Sequence, residues 1–526
     1  MTESFLTSRA VLPVSLQMGI NWAAMETAKQ LVIETPSQLE GKLFTFDTMQ
    51  LSIEQHILVK RPQCQVCGVS TLAQQPQPIA LHSHKKLFTD DGGHRSVSPE
   101  ETLNQYSHHI SPIAGVVNTL IKLESDNNWI HVYTANYLSQ RNKSLVQLRH
   151  SLNGSSAGKG KTDSQSKASC LCEALERYSG VFTGDEYRIK GTYAQLESIA
   201  IDPDDCAQYS TTQYQQREVW NVQHGDFAWV PEVFDRDKEI DWTPVWSLTE
   251  QQFKYLPTAY CYYSYPVLDG DRFCIGDSNG NAAGNSLEEA IVQGFMELVE
   301  RDCVALWWYN RIQRPAVDLD SFDEPYLQAL RDYYQSQNYQ LWVLDITNDF
   351  NIPSFAAIVR RDHQTSEAIA LGFGTHFDPK IAMLRAVTEL NQFMAVLSQN
   401  HTEKEFDNPD LEYWYKEATL ANQPYLVPDR SVKPKVYADY PNYYSSDLKQ
   451  DVLACVEIAA SRGLETLVLD QTRPDIGLSV VKVIVPGLRH FWARFAPGRL
   501  YDVPVQMGWL PAPLTEEQLN PIPMFF

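Results

Sequence analysis

The chain has 526 residues, 43% of them hydrophobic and 21% charged, the balance of a globular protein with room for two or three domains. Its formal net charge of −22 argues against unassisted binding to nucleic acid or an anionic membrane, because phosphate is held by clustered Lys and Arg. The first residues lack the basic and apolar regions of a signal peptide, and no apolar stretch approaches the ~20 residues of a membrane span. With nine scattered cysteines rather than an even disulfide framework, the expectation is a cytoplasmic protein whose partners are small molecules or peptides.

Residues 1–68 read as a mixed helical segment followed by KLFTFDTMQLSIEQHILVKRPQCQVCG, whose two alternating runs predict strands. Cys64 and Cys67 end that stretch with Cys-x-x-Cys spacing, half of the usual ligand set of a structural zinc. The polar stretch after it, STLAQQPQPIALHSHKKLFTDDGGHR, predicts a linker or exposed loop. From Ser96 onward the apolar runs VVNTLIKL, WIHVYTA, LWVLDIT, FAAIVR, TLVLD and VVKVIV alternate with longer helical patterns. That is an α/β (α+β) domain of about 430 residues.

Within it, GSSAGKGKT at 154–162 has the residue types of a phosphate-binding loop but not its spacing. The pattern G-x-x-x-x-G-K-[ST] needs four residues between the glycines, so that successive N–H groups curl round a phosphate. Here Gly154 is followed by five residues before Gly160-Lys161-Thr162 and by three before Gly158-Lys159. The stretch instead predicts a flexible loop from which Lys159 or Lys161 could approach a ligand.

Three helices share one spacing. Ser169, Glu173 and Glu176 stand at i, i+4 and i+7 in ASCLCEALERYSG, beside an apolar stripe of Ala168, Leu171, Cys172 and Leu175. Gln293, Glu297 and Glu300 repeat the offsets in SLEEAIVQGFMELVERDCVALWW, and Arg385, Glu389 and Gln392 do so in AMLRAVTELNQFMA, behind the glycine-containing turn GFGTHFDP. Solvated faces explain most charge runs, but these acids lack the interleaved lysines of such a face, and each helix is apolar enough to be buried. Buried carboxylates need cations, and Mg2+, which takes oxygen ligands and bridges protein carboxylates to phosphates, suits the set. The pattern predicts an ATP site built without a P-loop.

The ordered stretches GSSAGKGKTDSQSKASCLCEALERYSG, DSNGNAAGNSLEEAIVQGFMELVERD, GFGTHFDPKIAMLRAVTELNQ and TRPDIGLSVVKVIVPGLRHFW resemble the successive motifs of YcaO-domain proteins. More narrowly, the chain resembles the azoline-forming cyclodehydratases, the heterocyclases of cyanobactin-type peptide biosynthesis. The resemblance implies a YcaO-type domain over 89–526, preceded at 1–88 by the C-terminal remnant of an E1-like domain. It implies an ATP- and Mg2+-dependent enzyme that turns Cys, or also Ser and Thr, of a ribosomally made precursor peptide into thiazoline or oxazoline by phosphorylating a backbone amide oxygen. Carried over to this sequence, Ser169, Glu173, Glu176, Gln293, Glu297 and Glu300 match the nucleotide and metal helices, and Glu173, Glu176, Glu297 and Glu300 would ligate Mg2+. Lys159, Glu389 and Gln392 join the nucleotide site, with Glu173, Glu297 and Arg385 in catalytic roles, while Arg177 and Arg301 could meet phosphate or pair with a neighbouring glutamate.

Family members close with a proline-rich tail near the active site. Here LNPIPMFF has Pro521 and Pro523 but Phe525 where a third proline would stand, and a surface tail is the other reading. Zn2+ at Cys64 and Cys67 would need ligands from elsewhere, since there is no second Cys-x-x-Cys. The truncated N-terminal part implies a separate leader-binding protein as partner, with a homodimer as a further option. Two other readings stay open: YcaO-type thioamidation with an external sulfur source, and a scaffold that binds peptide without turnover.

Overall fold

The computed structural model describes residues 12–32, 39–64, 66–68, 75–125, 127–137, 154–267, 272–361, 367–399, 408–441, 443 and 445–525. Near the N-terminus stand helix α1 (Pro13–Val32), which buries none of its residues, and the hairpin β1 (Lys42–Asp47) and β2 (Ser52–Ile57). A second, short hairpin follows, β3 (Phe88–Asp90) with β4 (Gly93–Arg95). Three further sheets make the body. One is β5 (Val117–Lys122), β6 (His131–Tyr137) and β7 (Gly154–Gly160) in that order. The largest runs β10 (Phe253–Pro257), β9 (Ile240–Ser247), β15 (Leu467–Asp470), β16 (Ser479–Ile484), β11 (Asn281–Gly284), with β8 (Ile189–Gly191) also on β9. The last is β12 (Tyr339–Asp345), β13 (Ser354–Arg361) and β14 (Ala370–Thr375).

Every pairing between these strands is antiparallel, so the architecture is α+β rather than a parallel α/β sheet. All six apolar runs singled out in the sequence lie in strands. β7 and β14 differ from expectation. Residues 154–160, read as a flexible loop, pair along their whole length with β6, and the GFGT of the supposed turn is the end of β14. Their glycines serve close packing rather than bending, as the site shows.

Helix α2 (Asp163–Ser179) starts at Thr162, whose hydroxyl accepts from Gln165 N–H, and α3 (Leu287–Asn310) starts at Ser286, which accepts from Glu289 N–H. Helix α4 is Pro379–Gln399. α3 is the centre of the main core: Phe295, Trp307, Trp308 and Tyr309 are wholly buried, against β16 on one side and β13 and β14 on the other. The stretch expected as a linker is not free over 82–96. His82 N–H donates to the buried Glu288 (2.6 Å), Lys86 pairs with the buried Asp451 (2.6 Å), and Ser96 Oγ donates to the buried Glu289 (2.6 Å). Much of 75–87 is exposed coil, as expected, but composition does not show these tethers, because the partners are buried carboxylates on remote helices.

Residues 519–525 are docked rather than a surface tail. Trp308 Nε1 donates to Ile522 O (2.7 Å), Asn408 Nδ2 to Phe525 O (3.1 Å), and the Phe525 ring lies 5.2 Å from that of Trp414. An apolar ring therefore fills the place where the motif would put a third proline.

One buried ion cluster ties α3 to two loops. Asp302, fully buried, accepts from Arg499 Nη2 (2.7 Å), Asn348 Nδ2 (2.7 Å) and Arg489 N–H (2.8 Å), while Arg499 also reaches Asp349 (2.6 Å). Removing one member leaves a charge without its counter-ion. Arg499→Leu is expected to lower unfolding stability by about 3–5 kcal/mol in urea titration, and adding Asp302→Asn to restore part of it.

Candidate functional site

The three helices that carry the acidic spacing each follow a strand after a two- or three-residue turn: β7 leads into α2, β11 into α3, β14 into α4. In each unit a glycine lets strand and helix backbones touch. A Cβ on Gly158 would come 2.2 Å from Cys170 N, on Gly284 2.6 Å from Ala290 N, and on Gly374 2.1 Å from Ala382 O. No side chain fits at such separations. The seating brings one face of each helix to a shared cavity of about 480 Å³, a size common for ligand pockets.

All the expected nucleotide-site residues line it: Ser169, Glu173 and Glu176 from α2, Gln293, Glu297 and Glu300 from α3, Arg385, Glu389 and Gln392 from α4, and Lys159 from β7. Lys161 does not. It lies past the end of β7, in the turn before α2, and pairs with Asp90 (2.8 Å), whereas Lys159 within the strand pairs with Glu389 (2.6 Å). Cys64 and Cys67 do not line the cavity; they sit on a separate knuckle in which Gly68 N–H donates to Cys64 O (2.8 Å).

Arginines interleave the acids. Arg177 lies between Glu173 (3.5 Å) and Glu176 (3.9 Å) and donates to Tyr263 OH (3.0 Å); Arg301 lies between Glu297 (3.4 Å) and Glu300 (3.2 Å). Even so, burial pushes Glu176 well above the usual carboxylate range, raises Glu297, and lifts Glu300 to about 7. Glu389, half-buried, is also desolvated, but Lys159 and Arg301 outweigh that and hold it low.

Arg385 is different. Its guanidinium donates to Gln293 Oε1 (2.6 Å), Gly92 O (3.1 Å) and Thr375 O (3.4 Å), all neutral acceptors. Among the described residues no carboxylate lies within 4 Å of it, and burial drops it to about 10. Behind it stand the rings of His94 and His376, 4.8 Å apart; burial and neighbouring cations drop His94 to about 3 and His376 well below the usual range, so both are neutral. A half-buried cation with no carboxylate in direct contact, lining a cavity, suits an anion.

Among the described residues no three His, Cys, Asp or Glu side chains already converge as metal ligands. At the acidic helices Arg177 and Arg301 hold the intervening positions. The donors still suit a hard dication: they are carboxylate oxygens from facing helices, with three raised carboxyls short of positive charge, and Gln392 Oε1 is buried with no hydrogen-bond partner. For zinc the residues do not fit, because Cys64 and Cys67 have no third or fourth ligand among the described residues.

The sequence did not point to the roof of this cavity. Asp91, Gly92 and Arg95 of the β3–β4 hairpin line it, as do Thr375 and Thr388. Three-residue strands inside a polar run leave no periodicity to read, and the Asp91-Gly92 turn is the local signal for a hairpin.

A family model described as YcaO cyclodehydratase, ATP- and Mg2+-binding, matches residues 157–489. A solved heterocyclase in complex with substrate and cofactor is 51% identical, with a TM-score of 0.92 over 99% of this chain and 70% of that one. The heterocyclase TruD is 48% identical, with a TM-score of 0.79 over 99% of this chain and 68% of that one. The YcaO protein of Methanopyrus kandleri, solved with AMPPCP and Mg2+, shares the fold at 21% identity and a TM-score of 0.58, covering 79% of this chain and 98% of that one. An uncharacterized protein of Methanothermobacter thermautotrophicus is 26% identical over 407 residues, 76% of this chain and 95% of its own length. Among the described residues no helix is long and apolar enough to cross a membrane.

Asp91 gives the site a measurable pH signature. It accepts from Lys161 N–H (2.8 Å), yet burial lifts its carboxyl to about 6. A raised carboxyl contributes stability below its unfolded pKa of about 3.9 and loses it as pH rises through the folded value. The melting temperature of Asp91→Asn relative to the parent should therefore climb between about pH 4 and pH 6.5 and level off above, whatever the constant offset.

Proposed function

The chain belongs to the YcaO cyclodehydratase family, and on that premise we propose that it is an ATP-dependent peptide heterocyclase. Its substrate is a ribosomally made precursor peptide, in which Cys, and by the same chemistry Ser or Thr, closes onto the preceding carbonyl. The sulfur forms a bond to the carbonyl carbon, and the carbonyl oxygen takes the γ-phosphoryl group of ATP. Loss of phosphate together with the amide proton leaves the C=N bond of a thiazoline, with ADP as the other product. An amide oxygen is a poor leaving group, and phosphorylation makes its departure favourable.

The observation that carries this reading is Arg385, half-buried and hydrogen-bonded only to neutral acceptors where a triphosphate would bring negative charge. Phosphoryl transfer depends mainly on positioning and charge neutralisation. Mg2+, when bound by Glu173, Glu176, Glu297 and Glu300, would supply that neutralisation at the phosphates. Arg177 and Arg301 keep those carboxylates oriented and apart. Lys159 and Glu389 hold each other at the cavity wall, and Ser169, Gln293 and Gln392 offer neutral hydrogen-bonding groups to the nucleotide.

The chain spans 70% of the length of the solved heterocyclase that matches it over 99%. With the function we also propose recruitment of the precursor by a separate leader-binding protein. Faster turnover on adding such a protein would support that part, and equal turnover would remove it.

Intact-mass spectrometry of a Cys-containing precursor tests the function. With ATP and Mg2+ each modified residue should lose about 18 Da, one water. Glu297→Gln should abolish the loss, and Arg385→Gln should weaken nucleotide binding about 10- to 100-fold, the worth of a charge-assisted hydrogen bond. A gain of about 16 Da with a sulfur donor would instead identify thioamidation at the same activated amide. No ATP-dependent mass change in any arm would overturn the enzymatic reading.

A further inference from the structure

A second cavity lies next to the acidic cluster but outside it. Leu298, the neighbour of Glu297 on α3, forms one wall, and Asp277, Asn279 and His490 present polar groups to it. Two of these groups lack a hydrogen-bond partner, and Asp277, whose Oδ1 accepts from Asn279 N–H (3.1 Å), keeps its Oδ2 toward them. His490, 8% exposed, accepts from Trp492 N–H on Nδ1 (3.0 Å), so Nε2 carries the ring proton, and Nε2 has no hydrogen-bond partner. Burial and neighbouring cations keep this imidazole neutral. Asn279 Oδ1 is likewise buried without a partner. Asp277 Oδ2 stands 3.7 Å from His490 Nε2, beyond hydrogen-bond reach. Unpaired buried polar atoms cost about 1–3 kcal/mol each, and a fold that keeps a donor, an acceptor and a carboxylate round one void is shaped for an occupant.

We propose that this cavity receives the side chain being cyclised, with Asp277 as the catalytic base for its thiol; the inference rests on the heterocyclase reading above. The volume, about 30 Å³, admits two or so non-hydrogen atoms on the measure by which one water needs about 10–15 Å³. That is the Cβ and Sγ of a cysteine. Ile484 and Leu488 supply apolar wall for the methylene. The buried Lys482 fixes the carboxylate: Nζ donates to Asp277 O (2.7 Å), Asn279 O (3.2 Å) and Asn281 Oδ1 (3.2 Å), and lies 3.5 Å from Asp277 Oδ1. It leaves Oδ2 for the substrate. The same ammonium acts electrostatically on Glu176 and Glu297, so the cavity and the acidic cluster share one neighbour.

In the step, the S–H bond breaks as the sulfur attacks the carbonyl carbon. The proton passes to Asp277 Oδ2, the C–S bond forms, and the carbonyl π pair moves to the oxygen that takes the phosphoryl group. His490 Nε2–H donates to the sulfur as it ionises.

The test is the rate of the 18 Da loss for the parent protein and Asp277→Asn across pH 6.5–9.5, with nucleotide affinity measured beside it. At pH 7 the variant should be about 100-fold slower or more, the worth of a positioned base. Its rate should then rise about tenfold per pH unit toward the thiol pKa of about 8.5, where the substrate ionises by itself, while the parent profile is flatter. Nucleotide affinity should stay within twofold. A parent-like rate at pH 7, or parallel profiles, would overturn the proposal. Should Asp277→Asn fail to fold, Leu488→Phe, which fills the void, is expected to raise the peptide KM at least tenfold with nucleotide affinity kept, and an unchanged KM overturns the proposal equally. A parent protein that never gives the 18 Da loss would instead sink the function itself and this inference with it.

Discussion

Backbone contact between strand and helix, made three times at a glycine, is the constraint on which the site depends. Gly158, Gly284 and Gly374 each sit where a Cβ would enter the backbone of the following helix. Because strand and helix touch directly, the helix cannot rotate without lifting off its sheet. The residues at i, i+4 and i+7 therefore point to one cavity from three directions. Glycines whose sequence suggests mobility here remove it, and the rest of the molecule follows from keeping those helices seated. α3 runs through the main core, Asp302 on it gathers two arginines, and residues 519–525 close over its far end at Trp308.

The charge pattern of the cavity follows from the same geometry. Seven or so residues of helix per strand-seated unit bring four glutamates close enough to repel, and Arg177 and Arg301 stand between them. Burial still raises three of the carboxyls, so the acids are held in reserve for more positive charge. Arg385 has the opposite imbalance, a half-buried cation among carbonyls and neutral imidazoles. A magnesium nucleotide carries both complements at once, positive metal for the acids and phosphate for the arginine. That pairing of opposite deficits is a stronger physical argument for the ligand than either cluster alone.

Periodicity along the chain determined a good deal of this protein. The i, i+4, i+7 spacing assigned nine cavity-lining side chains, and six apolar runs matched six strands, because both signals are local repeats of 3.6 or two residues. Only the tertiary structure decided the rest. It made 154–160 a strand, since glycine in a sheet looks like glycine in a loop until a helix is packed on it. It docked 82–96 against Glu288, Glu289 and Asp451, partners hundreds of residues away that no local pattern announces. And it sorted the arginines, pairing Arg177 and Arg301 with glutamates while leaving Arg385 without one, because charge compensation is set by distances between elements and not by spacing within them.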